Sequence, residues 1–136
     1  MIYVAGALFT QAERDFNAVL AAKLRGKGYE VYLPQETPVP EGPDRTRQIF
    51  QNDLDHVSRC QAVVAVCEYQ QIDDGTAWEI GYAFALGKKI FALRTDWRVA
   101  MPDERINLMI GMSLTEGPYA DVDRLVEAVS RAIPLS

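Results

Sequence analysis

Four short apolar runs, Ile2 to Gly6, Glu30 to Leu33, Ala62 to Val66 and Ile90 to Leu93, alternate with longer stretches at Thr10 to Arg25, Asp44 to Arg59 and Thr76 to Leu86. Strand-length runs separated by helix-length ones need crossover connections, so the alternation predicts an α/β domain around a mainly parallel sheet. The first helix opens on Thr10-x-x-Glu13, sets Phe16, Val19, Leu20 and Leu24 on one face, and stops at Gly26 to Gly28. That is a capping signal, an apolar stripe and a C-terminal breaker in order. Its Glu13, Arg14 and Asp15 read as a solvated face. Asp121 to Ala132 reads as a closing helix with Val122, Leu125, Val126 and Val129 inward.

The 136 residues fit a single domain, 1–136, with no repeat or linker. Pro34 to Pro43 holds four prolines and a glycine, so it predicts an irregular loop able to cover a ligand. The stretch from Arg94 to Arg105 lacks regular periodicity and is a second such segment, placed to reach a neighbouring subunit. In an open parallel sheet these loops share one edge with those at Gly6 to Thr10 and Cys67 to Gly75, and that edge is where small ligands bind.

Charge and composition exclude several functions. A formal charge of −5 without a basic tract disfavours nucleic acid as a partner. No apolar run approaches membrane-spanning length and no signal-peptide pattern opens the chain, which makes a cytoplasmic location the expectation. His56 is the single histidine, and Cys60 and Cys67 read as packed free thiols, so neither a zinc site nor a histidine-based triad is supported. No metal or cofactor is expected. A Gly-x-Gly-x-x-Gly turn and a P-loop are both missing, which argues against dinucleotide binding and P-loop phosphoryl transfer.

The most specific segment is Asp73-Asp74-Gly75-Thr76-Ala77-Trp78-Glu79-Ile80-Gly81-Tyr82-Ala83. Glu79 shares a helical face with Thr76, Tyr82, Ala83 and Leu86, and a carboxylate in partly apolar surroundings is costly unless paired. Two readings stand. Thr76-x-x-Glu79 has the spacing of a capping box; alternatively Glu79 is a nucleophile for glycosyl chemistry, in which a carboxylate attacks an anomeric carbon and holds the sugar as an ester. Tyr3 lies inside the first strand, either as a core tyrosine or as a hydroxyl reaching a buried carboxylate. Asp53 falls between Phe50, Leu54 and Val57, either as a surface aspartate or as a site residue. Leu8 and Phe9 suit contact with a planar ring or a deoxysugar, or simple packing.

In these residues and their order, the chain resembles the nucleoside 2-deoxyribosyltransferase family over nearly its whole length. The matching blocks are Ile2-Tyr3-Val4-Ala5-Gly6 with Phe9-Thr10, Asn52-Asp53-Leu54, the Asp73 to Ala83 segment, and Ile106-Asn107-Leu108-Met109. The resemblance implies a flavodoxin-like (Rossmann-like) three-layer sandwich with a five-stranded, mainly parallel sheet, in homo-oligomers whose neighbouring subunits complete each other's sites. It implies Glu79 as the nucleophile at C1′, Tyr3 as the group orienting it, and Asp73 as the acid beside the base. Asp53 is implied as a sugar-hydroxyl ligand, Asn107 and Met109 as contributions from the neighbouring subunit, and Gln35 as a base contact; Gly6 and Phe9, in the first block, are read as substrate contacts.

The implied activity is exchange of purine or pyrimidine bases on 2′-deoxynucleosides through a covalent deoxyribosyl-glutamate, with a deoxynucleoside and a free nucleobase as partners. Alternatives are an N-glycoside hydrolase of deoxynucleosides or their 5′-monophosphates, a phosphoribohydrolase sharing Gly75-Thr76-x-x-Glu79, and a non-enzymatic nucleoside or nucleotide sensor on the same fold. Gly6-Ala7-Leu8-Phe9-Thr10 lacks the Ser/Arg/Gly-rich character of a phosphate loop, and Asn107 stands where phosphate-binding relatives carry serine, which favours a nucleoside over a nucleotide.

Overall fold

A computed structural model of the chain describes residues 1–96 and 106–135. Five parallel strands, β1 (Ile2–Ala5), β2 (Val31–Tyr32), β3 (Ala62–Val66), β4 (Lys89–Leu93) and β5 (Glu116–Tyr119), lie in the order β2-β1-β3-β4-β5. This is the flavodoxin-like order, in which the chain reverses direction of winding between β1 and β3. The connecting helices are α1 (Gln11–Gly26), α2 (Arg45–Arg59), α3 (Asp74–Ala85), α4 (Leu108–Ser113) and α5 (Val122–Ala132).

The pleat of each strand divides the core in two. Ile2 and Val4 of β1 face the layer that also buries Leu20 and Leu24 of α1 and Leu125 and Val129 of α5. Tyr3 and Ala5 face the opposite layer, with Val57 of α2 and Ile80 and Ala83 of α3. Strand β3 is buried along almost its whole length, as expected of a central parallel strand covered on both sides.

Expected and observed elements agree to within one or two residues at most ends. Helix α1 carries the anticipated cap: Glu13 N–H donates to the Thr10 hydroxyl, and the Glu13 carboxylate accepts from Thr10 N–H. Glu13 is therefore a capping group, while Arg14 donates to the carbonyls of Leu8 and Phe9 and Asp15 is exposed. The solvated-face reading holds for Arg14 and Asp15, both exposed, and Glu13 adds the capping role to it. The proline-rich loop contains one 3-10 turn at Pro34–Glu36. Cys60 and Cys67 are buried free thiols, and burial pushes Cys67 up to about 12. Positions 97–105, most of the second irregular segment, lie outside the described residues.

Helix α3 starts earlier than its sequence suggests. Its N-cap is Asp73, whose carboxylate accepts from Thr76 N–H at 3.1 Å, and the helix runs from Asp74. Thr76 thus occupies the first turn, and Glu79 is one turn too far along to close a box with it. The capping reading of Thr76-x-x-Glu79 is overturned because Asp73 already supplies the cap. Leu86 is the C-cap and 44% exposed, so it does not extend the buried face that holds Thr76 and Ala83.

Candidate active site

Freed from capping, Glu79 turns to the sheet. Tyr3, completely buried in β1, donates its phenolic hydrogen to Glu79 Oε1 at 2.6 Å. Among the described residues Tyr3 is the one donor to this carboxylate, which leaves Oε2 open. Burial pushes the Glu79 acid up to about 7, with the negative charges of Asp53 and Asp73 adding to the rise and the Tyr3 hydrogen bond opposing it. Tyr3 is held far above the ordinary phenol range, first by burial and then by Glu79, so it remains a neutral donor.

Glu79 borders a cavity of about 460 Å³ with Asp53, Leu54, Asp74, Gly75 and Trp78. Two of its lining residues are aromatic, Phe50 and Trp78, which meet edge to face at 5.7 Å, and Trp78 is backed by Tyr82, on which it stacks at 5.3 Å. A cavity of this size suits a nucleoside-scale ligand, and flat side chains lining it suit a planar ring.

Asp53 reaches the same cavity from α2. Its Oδ1 accepts from the Tyr32 hydroxyl at 2.8 Å, and burial holds its acid above the usual carboxylate range, against the opposing effects of Tyr32 and His56. Tyr32 was not among the residues singled out from the sequence. It pairs in register with Tyr3 across β1 and β2, the two rings stacking at 5.3 Å, and burial with the Asp53 bond pushes it up to about 12. His56, the lone histidine, stacks on Tyr32 at 3.7 Å and is engaged with the Asn52 carbonyl, a packing role.

The remaining candidates divide by location. Asp73 borders an adjacent cavity of about 280 Å³ with Ala7, Phe16, Asn17, Glu68 and Tyr69; its Oδ2 caps α3 and its charge is felt by Glu79. Gln35 lines a third space of about 590 Å³ under the proline-rich loop, together with Leu8, Tyr32, Thr37, Asn52 and Asp53. Its amide is already engaged, accepting from Asn17 at 3.2 Å and donating to the Arg14 carbonyl at 2.8 Å. Phe9 is 72% exposed at the head of α1. At Gly6 a Cβ would stand 3.1 Å from Val66 Cβ and 3.2 Å from Asn17 Oδ1, so close approach of β1, β3 and α1 by itself accounts for glycine there.

Asn107 and Met109 do not join Glu79 within one chain. Asn107 is the N-cap of α4, its Oδ1 accepting from Met109 N–H at 2.9 Å. Both line a cleft of about 620 Å³ with Arg94, Gln70, Gln71 and Ile110, and Met109 is 71% exposed. No cluster of His, Cys, Asp and Glu able to hold a metal ion exists among the described residues.

The sequence profile for nucleoside 2-deoxyribosyltransferase matches residues 2–115 of this chain. The chain belongs to that family. Among solved structures, a conserved protein of Enterococcus faecalis V583 is 28% identical, with a TM-score of 0.86 over 97% of this chain and 98% of that one. A 2-deoxyribosyltransferase of the psychrotolerant bacterium Bacillus psychrosaccharolyticus is 27% identical, with a TM-score of 0.83 over 99% of this chain and 96% of that one. The CMP N-glycosidase of Clostridium botulinum shares the fold, at 22% identity and a TM-score of 0.63 over 97% and 98% of the two chains. The nucleoside 2-deoxyribosyltransferase fold thus carries here a tyrosine-bonded glutamate and a tyrosine-bonded aspartate on one cavity. No described helix of this family member is long and apolar enough to cross a membrane.

Proposed function

We propose that this protein exchanges nucleobases on 2′-deoxynucleosides through a covalent intermediate on Glu79. The observation that carries the reading is the Tyr3 to Glu79 hydrogen bond in a cavity shared with Asp53. A half-buried carboxylate with one oxygen fixed and the other free is arranged for attack rather than for structure.

In the first half-reaction Glu79 Oε2 attacks C1′, the bond from C1′ to the base nitrogen breaks, and the base leaves with a proton supplied by Asp73. In the second, a nitrogen of the incoming base attacks C1′, the ester bond breaks, the carboxylate is released, and Asp73 takes up the proton. Two inversions give overall retention. The missing 2′-hydroxyl makes the oxocarbenium-like transition state easier to reach, and the Glu79 charge stabilises it. A positioned general acid contributes about 10²–10⁴-fold by improving the leaving group. Asp53 accepts from the sugar hydroxyls, and Asn107 and Met109 of a neighbouring copy close the site, which makes the working form a homo-oligomer.

Incubation with a 2′-deoxynucleoside and a different free base, followed by product analysis, tests this. A new deoxynucleoside is the expected product. Free deoxyribose with no new nucleoside would replace transfer by hydrolysis, and unchanged compounds with measurable binding would replace catalysis by sensing. Repeating the assay with the 5′-monophosphate should give slower turnover, because the β1 to α1 connection offers no phosphate loop.

A further inference from the structure

The hydrogen bonding of Tyr32 is complete, and that completeness gives it a direction. A phenol has one hydrogen to donate and two lone pairs to accept with. The Asn52 amide donates to the Tyr32 oxygen at 2.6 Å and the Thr37 hydroxyl donates to it at 3.1 Å. Both lone pairs are then occupied, and the single hydrogen goes to Asp53 Oδ1 at 2.8 Å. The ring is anchored by stacking on both Tyr3 at 5.3 Å and His56 at 3.7 Å, which opposes its swinging away. Asp53 therefore presents a carboxylate with one oxygen committed to protein and the other available to a ligand.

Asp53 also borders two spaces, the Glu79 cavity and the one beneath the proline-rich loop. Thr37 belongs to that loop, so the Thr37 to Tyr32 to Asp53 chain links the cover to the carboxylate facing the sugar. We propose that Tyr32 is a positioning residue for the sugar: its hydroxyl fixes Asp53 as the acceptor of a sugar hydroxyl, and Thr37 holds Tyr32 in that orientation from the proline-rich loop. The proposal rests on the deoxyribosyl-transfer reading above and adds a residue and a specificity role to it.

The test is steady-state transfer by the full-length protein with a 2′-deoxynucleoside, its 2′,3′-dideoxy and 2′,5′-dideoxy counterparts, and a free base as acceptor. Tyr32→Phe keeps the stacked ring and removes only the hydroxyl. For the 2′-deoxynucleoside it should raise KM about tenfold, the effect of one hydrogen bond to a charged group, while kcat changes less than about threefold. The penalty should vanish for at least one dideoxy substrate, and adding Tyr32→Phe to Asp53→Asn should cost nothing more. Thr37→Val should give the same pattern in weaker form, and it decides the matter should Tyr32→Phe fail to fold.

Equal losses on all three substrates, a loss confined to kcat, or full additivity with Asp53→Asn would overturn the proposal while leaving the transfer reading intact. An inactive wild-type protein would reject that reading and this proposal together. An active wild type with unaltered Tyr32→Phe and Thr37→Val variants would reject this proposal alone.

Discussion

Tyr3 and Glu79, 76 positions apart in the chain, meet through a 2.6 Å hydrogen bond between the first strand and the third helix. That bond is the strongest link between fold and proposed chemistry, because it opposes the burial that would otherwise keep Glu79 protonated. Tyr3→Phe should leave the fold intact and reduce transfer about 10- to 100-fold, the range for a hydrogen bond to a charged group. It should also move the acid limb of the pH–rate profile to higher pH, since the effect removed is the one lowering the Glu79 acid. A limb that stays in place would assign Tyr3 to packing.

Asp53 acts on Glu79 with the opposite sign. Wild-type kcat/KM should rise through about pH 7 as Glu79 ionises. The Asp53 charge raises the Glu79 acid, so Asp53→Asn should shift that limb to lower pH while weakening substrate binding. Profiles of the two variants moving in opposite directions from wild type would establish that both limbs belong to Glu79.

Glu79→Gln should abolish transfer and stabilise the protein at neutral pH. The folded-state acid is raised from 4.5 to about 7, so wild type bears no cost below about pH 4.5, where both states are protonated, and the full cost above pH 7. At 1.36 kcal/mol per pH unit that interval amounts to roughly 3 kcal/mol, reduced to about 1–3 by solvent at the cavity mouth. Urea titrations at pH 8 and pH 4.5 should show an advantage for Glu79→Gln that shrinks at the lower pH. A constant difference between variant and wild type would contradict this.

Gly6→Ala separates packing from ligand contact. The added methyl would meet Val66 and Asn17 at 3.1 and 3.2 Å, so stability should fall by about 1–3 kcal/mol. If Gly6 serves packing, KM at low temperature should follow wild type once folded protein is counted. A raised KM without lost stability would make it a substrate contact.

Asn107→Ala should chiefly raise KM for the sugar while leaving the isolated fold undisturbed apart from the α4 cap. If Asn107 serves a neighbouring subunit's site, mixing Asn107→Ala with inactive Glu79→Ala under exchange conditions should recover part of the wild-type activity. Recovery absent after demonstrated subunit exchange would confine Asn107 to its own chain.

The alternation of apolar runs and helical stripes was enough to place β1, β3, β4, α1, α2 and α5, because long elements with strong periodicity carry their own signal. Strand β5 was not located by residue: Glu116–Tyr119 contains Gly117 and Pro118, residues that sequence patterns assign to turns and that only an edge strand tolerates. Helix α4 spans six residues, too few for a period to register. At the site, Tyr3, Asp53 and Glu79 are legible in the sequence and converge in the fold. Tyr32 was missed because its importance lies in its pairing with Tyr3, and strand register is a tertiary property. The start of α3 is ambiguous in the sequence because Thr76 and Asp73 both have capping chemistry, and only the loop before the helix decides between them.

The shared rung of Tyr3 and Tyr32 has a consequence for how the protein matures. Displacing one strand by a single residue would send its phenol to the opposite side of the sheet and strand one carboxylate without its donor. On the proposed chemistry, turnover and correct alignment of the first two strands should therefore return together, and regained turnover after dilution from denaturant should serve as a clock for that alignment.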